Sequence, residues 1–114
     1  EPSRPVGSAA PTRIVSEMVH HVVSFTFTPD ATPESIDTLQ SRLEALPGLI
    51  PEVRAYRVVR DARLREGNAD MAVLADFDDA EGFLTYANHP DHLAVIAECI
   101  RPIVATRSAL QYED

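Results

Sequence analysis

The chain contains no lysine and no tryptophan, one cysteine, four glycines and only 6% aromatic residues. Each scarcity excludes a class of chemistry. Without lysine there is no side-chain amine for Schiff-base catalysis. All ten basic residues are arginines, a bias that GC-rich codon usage accounts for most simply. A lone Cys99 cannot close an intrachain disulfide, so the fold needs no oxidising compartment. Its apolar neighbours mark it as buried filler rather than a nucleophile. Few aromatic rings and a net charge of −8 disfavour nucleic acid and anionic membranes as partners. No run approaches the ~18 apolar residues of a membrane span, and no apolar stretch of the secretory kind follows Arg4. A cytoplasmic location is the expectation.

What is present is ordinary globular material: 114 residues, 45% hydrophobic and 25% charged, enough for one domain with one core. Residues 1–16 are rich in Pro, Ser and Ala without periodicity and read as a disordered extension or an expression remnant, with Met18 a candidate start and the domain spanning 17–114. Order begins at Val19–Phe27, a strand by its β-branched and aromatic content. Alternation puts Val19, His21, Val23, Phe25 and Phe27 on one face and His20, Val22, Ser24 and Thr26 on the other. Thr32 caps and Pro33 opens a helix carrying Ile36, Leu39, Leu43 and Leu46 at three- and four-residue spacing, stopped by Leu46-Pro47-Gly48. A second strand runs from Val53 to about Arg60, a charged turn spans Arg63–Asn68, and Met71–Phe77 forms a largely apolar, central third strand. A short helix from about Asp79 to Ala87 precedes a second beginning at Pro90, whose stripe is Leu93, Ile96, Ile100 and Ile103. Pro102 kinks or ends that helix, and Ser108–Tyr112 reads as a weak final strand.

The order β-α-β-β-α-β is the ferredoxin-like split unit, an α+β protomer with an antiparallel four-stranded sheet and helices on one face. Its other face carries apolar residues such as Val22 and one alternating set of the third strand, either Ala72 and Leu74 or Met71, Val73 and Ala75. A homodimer packed sheet against sheet, a dimeric α/β barrel, is the economical way to cover them.

The densest chemistry lies in Tyr86-Ala87-Asn88-His89-Pro90-Asp91-His92, two of the four histidines and one of the three tyrosines within seven residues. Pro90 places His92 in the first turn of a helix, where the positive end of the dipole lowers an imidazole pKa and leaves a neutral base at pH 7. Tyr86 beside it supplies an O–H donor.

Together with Met18-Val19-His20-His21-Val22-Val23, Leu46-Pro47, Ile50-Pro51 and Asp76-Phe77, the pattern Tyr86-x-x-His89-Pro90-x-His92 resembles the stress-responsive α/β-barrel (Dabb) family over roughly residues 18–112. The resemblance implies ferredoxin-like protomers that dimerise through their sheets, many without an assigned activity. It also implies a relationship to one catalytic member, olivetolic acid cyclase, which closes a linear polyketide by intramolecular aldol condensation without metal or cofactor. On that correspondence Tyr86 and His92 are the catalytic pair and His21 a pocket histidine. The chain departs from the family in having Gln111-Tyr112 where an Asp-Tyr pair is common, and in smaller or more polar residues at Ala75 and Asn88.

In the catalytic reading, His92 removes a proton between two carbonyls and Tyr86 stabilises the resulting oxyanion, with His21, Val23, Phe25, Val73, Ala75, Phe83 and Val95 lining the pocket around a small apolar, phenolic or polyketide-like ligand. No cofactor and no metal are called for. His89, Asp91 and His92 lack a zinc-type pattern, and His89 falls just outside the helix as a cap. The plainer alternative ties the Tyr86 hydroxyl to backbone, leaves His21 a satisfied core residue, and makes the function that of a non-catalytic stress-responsive protein acting through its dimer or a higher assembly. An enzyme would show a cavity of a few hundred Å³ with Tyr86 and His92 in hydrogen-bond reach. The acidic pairs Asp78-Asp79 and Glu113-Asp114 read as helix-start and terminal solvated charge.

Overall fold

The computed structural model describes residues 17–114; the extension expected over 1–16 lies outside them. In chain order the elements are β1 (Val19–Phe27), α1 (Pro33–Glu44), a 3₁₀ turn (Leu46–Gly48), β2 (Val53–Arg60), β3 (Met71–Phe77), α2 (Ala80–Ala87), α3 (Pro90–Val95), a π-helical turn (Ile96–Ile100) and β4 (Val104–Glu113). The strands form one antiparallel sheet in the order β2-β3-β1-β4. This is the ferredoxin-like α+β fold, and the helices cover one face.

Local chemistry sets the element ends. The Thr32 Oγ1 accepts the Ser35 N–H at 3.1 Å and the Ser35 Oγ accepts the Thr32 N–H at 2.9 Å, a reciprocal cap with Pro33 at the first helical position. Asp79 caps α2 by accepting the Gly82 N–H at 2.8 Å. In the turn between β2 and β3, Arg63 adopts a left-handed φ of 60° and Gly67 a φ of 85°. The Arg63 side chain pairs with Asp70, and the Asp70 carboxylate also accepts the Phe27 N–H at 2.8 Å. That backbone donor first, and Arg63 second, hold the Asp70 carboxyl below its usual range.

Strand β1 alternates as its sequence implies. Val19, His21, Val23 and Phe25 are buried under the helices beside Met71, Val73, Ala75 and Phe77 of β3. Leu39 and Leu43 of α1, Leu46, Ile50, Tyr86 and Val95 close the core from the other side. The opposite sheet face is open. There Val22 lies between Leu74 and Leu110, and His20 between Asp76 and Tyr112, so the exposed set on β3 is Ala72 and Leu74. Leu110 and Tyr112 are about half exposed.

Three details differ from the sequence reading. The helix after Pro90 has only six α-helical residues before it widens into the π turn, closed by Arg101 N–H to Ile96 C=O at 2.9 Å. Pro102, lacking an N–H and crowding the preceding turn, stands immediately after this change of winding. On this short helix Leu93 is exposed and Val95 is the buried residue. Strand β4 begins at Val104 rather than Ser108, held by pairing with β1 although almost none of it is buried. Among the described residues no helix is long and apolar enough to cross a membrane.

Leu39 has no exposed surface and anchors α1 to the sheet. Leu39→Ala should cost about 2–5 kcal/mol in denaturant unfolding. A loss below about 1 kcal/mol would show that α1 is not anchored this way.

Candidate active site

The helix-covered face of β1 meets α2 and α3 around a cavity of about 150 Å³, bounded by His21, Val23, Phe25, Leu43, Val73, Phe83, Tyr86, Ala87, His92, Ile96, Ile100 and Arg107. Seven of the nine residues singled out from the sequence meet there: His21, Val23, Phe25, Val73, Phe83, Tyr86 and His92. Ala75 and Val95 do not. Both are buried core residues away from the cavity wall; Ala75 is a short side chain in register between His21 and Tyr56, and Val95 packs into the core under the helix. The cavity is smaller than the few hundred Å³ expected, because Leu43, Ile96 and Ile100 fill part of the space between helices and sheet. It is the size that holds one benzene-like ring.

Tyr86 and His92 are neighbours, but not as a hydrogen-bonded pair. Their rings lie 4.2 Å apart at an interplanar angle of 31°. The Tyr86 hydroxyl instead meets that of Tyr56 at 2.8 Å, rather than a backbone group. Burial raises the pKa of both phenols, that of Tyr86 to about 12, so both stay protonated hydrogen-bond donors.

The short gap between α2 and α3 fixes the tautomer of His92. The Ala87 carbonyl belongs to the last turn of α2 and has no helical partner; it accepts from His92 Nδ1 at 3.0 Å. The proton therefore sits on Nδ1 and Nε2 keeps its lone pair. Burial lowers the His92 pKa; Arg107 and His89 lower it further, while the Ala87 bond opposes them. The imidazole is neutral as the sequence implied, and desolvation is the first cause.

His21 has the opposite tautomer. Gln111 Nε2 donates to His21 Nδ1 at 2.9 Å, so the ring proton lies on Nε2. Burial, then the charges of Arg107 and His92, lower its pKa to about 4. The cavity wall thus combines one neutral imidazole with a donor N–H and another with an acceptor nitrogen. Phe83 packs on His21 at 5.0 Å and Phe77 on Tyr86 at 5.2 Å, which locks the rings in place.

The other two histidines stand outside this chemistry. His89 caps α3, its Nδ1 accepting the Asp91 N–H at 3.1 Å. Among the described residues no cluster of three or more His, Cys, Asp or Glu is placed to hold a metal ion. His20 lies on the open sheet face, its Nδ1 2.6 Å from Asp76 and its Nε2 2.7 Å from Asp114, stacked on Tyr112. These carboxylates raise its pKa. Asp114 is therefore an ion-pair partner rather than merely terminal solvated charge, and Asp78 likewise pairs with Arg54 at 2.9 Å.

The model of the stress-responsive A/B barrel domain matches residues 19–114. The chain belongs to this family. Its fold is shared by a dimeric ferredoxin-like protein of unknown function from Thermobifida fusca, 36% identical over 87% of this chain and 92% of that one, with a TM-score of 0.80. A hydroxynitrile lyase from Passiflora edulis (20% identity, 87% and 94% covered, TM-score 0.78) shares the fold. So does SnoaB, a cofactor-independent oxygenase from Streptomyces nogalater (18%, 85% and 92%, 0.67). No curated protein sequence matches the chain.

In this stress-responsive A/B barrel domain the His21–Gln111 bond ties the pocket histidine to strand β4. Sequence reading passed over Gln111, Tyr56 and Arg107 as site residues. Leu43, Ile96 and Ile100 were legible as helix stripes, whereas Tyr56 and Arg107 emerge only from strand register, Arg107 opposite Phe25.

The His21 shift has a defined sign. The unfolded imidazole titrates near 6.5 and the folded one at about 4, so the unfolded state gains protons first. Stability is whole above pH 6.5 and falls towards pH 4 by about 3 kcal/mol from this residue alone. His20 acts oppositely, its contribution present in acid and lost as pH rises through its raised pKa. In Gln111→Glu a carboxylate would accept from His21 Nδ1–H, raising its pKa. Urea unfolding from pH 7 to 4.5 should show a steep loss in the parent protein and a much shallower one in this variant. Identical slopes would contradict the assignment.

Proposed function

We propose that this protein binds a small apolar or phenolic, polyketide-like molecule in the cavity and closes it by a cofactor-independent, aldol-type condensation. The observation that carries the reading is the His92 tautomer: its Nδ1 proton is committed to the Ala87 carbonyl, leaving Nε2 as a neutral base on a largely apolar wall. In the proposed step, Nε2 takes a proton from a carbon between two carbonyls. The enolate carbon attacks a distal carbonyl carbon of the same molecule, a C–C bond forms and the C=O π bond opens. The new alkoxide is protonated by the imidazolium, which restores the base; this aldol then loses water, and enolisation of the remaining carbonyls gives the aromatic ring. Tyr56 donating to the Tyr86 oxygen leaves the Tyr86 proton for the developing oxyanion, and His21 Nε2–H orients a second oxygen. The cavity volume suits a single ring or a short chain folded to ring size.

The related dimers support a further part of the reading, a homodimer through the open sheet face, where Val22, Leu74 and Leu110 form an apolar strip. Assembly as the sole function is the competing outcome.

Incubation with a short linear poly-β-keto acid, alongside its neutral thioester, should yield an aromatic product detectable by absorbance. His92→Ala should reduce turnover about a hundredfold or more, far beyond what the drop of several degrees in unfolding midpoint from freeing the Ala87 carbonyl accounts for, and Tyr86→Phe should reduce it by a similar order. Absence of turnover, or turnover indifferent to His92→Ala, would defeat the catalytic reading and leave assembly as the function.

A further inference from the structure

Arg107 differs from the paired arginines of this chain in where it stands and in what it lacks. Among the described residues Arg42, Arg54, Arg60 and Arg63 each pair with a carboxylate. Among the described residues Arg107, like Arg57, Arg65 and Arg101, forms no ion pair with a carboxylate, but of these four it is the one that borders the cavity, where no carboxylate lies. Its register opposite Phe25 puts it on the helix-covered side of β4, on the same cavity wall as His21, Tyr86 and His92. Its charge lowers the pKa of all three, so it is electrically coupled to the site.

We propose that the cavity takes a ligand bearing a carboxylate, with Arg107 as its counter-ion and the residue that selects the acid over neutral analogues. The inference rests on the binding reading above and adds the charge of the ligand to it. Neutral His21 and His92 cannot balance an anion, whereas a guanidinium at the cavity edge meets a carboxylate through two parallel N–H donors. The ring or folded chain fills the apolar interior between Phe25, Val73 and Ile100. The carboxylate then lies towards the partly solvated β4 edge, where its desolvation is incomplete. A short aromatic or β-keto carboxylic acid fits this division; its amide or ester forfeits the ionic contact.

Benzoate and benzamide are matched probes of nearly equal shape that differ in charge at pH 7. Binding is followed by titration, with the ring resonances of His21 and His92 reporting occupancy of the cavity. Benzoate should bind about tenfold more tightly than benzamide at low salt. Arg107→Met should bring benzoate to the benzamide level while leaving benzamide unchanged, and Arg107→Lys should retain part of the preference. Equal affinities in the parent protein, or a preference that survives Arg107→Met, would overturn the proposal while leaving the pocket intact. Binding of neither probe would overturn the pocket reading and the proposal together.

Discussion

Strand β1 is hydrogen-bonded along both edges, to β3 and to β4, over most of its length. A slip of one residue would turn every inward side chain outward, so pairing on two sides fixes which of two adjacent histidines enters the core. His21 goes under the helices, becomes neutral and receives a hydrogen bond from Gln111. His20 goes to the open face, between two carboxylates that favour its charged form. Identical side chains acquire opposite protonation behaviour from strand alternation alone, and the site is built on the inward one.

The second constraint is the tight junction between α2 and α3. A helix that ends leaves carbonyls without partners, and here one of them is satisfied by an imidazole rather than by water or a glycine cap. His89 closes the start of the next helix, so Pro90 and His92 follow at fixed positions. The junction therefore completes the ends of two helices and sets the His92 tautomer with the same few atoms. Burial then keeps that ring neutral, and Tyr86 stacked against it limits its rotation. The result is a preorganised pair of neutral imidazoles, one offering a proton and one accepting it.

Much of this was legible in the sequence because it rests on local rules. Alternation in Val19–Phe27, the Thr32-Pro33 cap and the Tyr86–His92 spacing each identified an element and its buried face. What escaped depended on register between distant strands. The Tyr56–Tyr86 hydroxyl contact joins β2 to α2, and Arg107 reaches the cavity only because β4 starts four residues earlier than its composition suggests. An edge strand with few buried side chains leaves little hydrophobic pattern to read. The size of the cavity was equally hidden, since it depends on how closely Leu43, Ile96 and Ile100 approach one another after the π turn shifts the helix phase.

The central claim is that the cavity holds two neutral imidazoles of opposite tautomer. Long-range ¹H–¹⁵N correlation of the histidine side chains at pH 7 tests it directly. The account predicts His21 as the Nε2–H form and His92 as the Nδ1–H form, both neutral, while His20 shows the pattern of a ring hydrogen-bonded at both nitrogens. A charged imidazolium at His21 or His92, or the same tautomer at both, would contradict it.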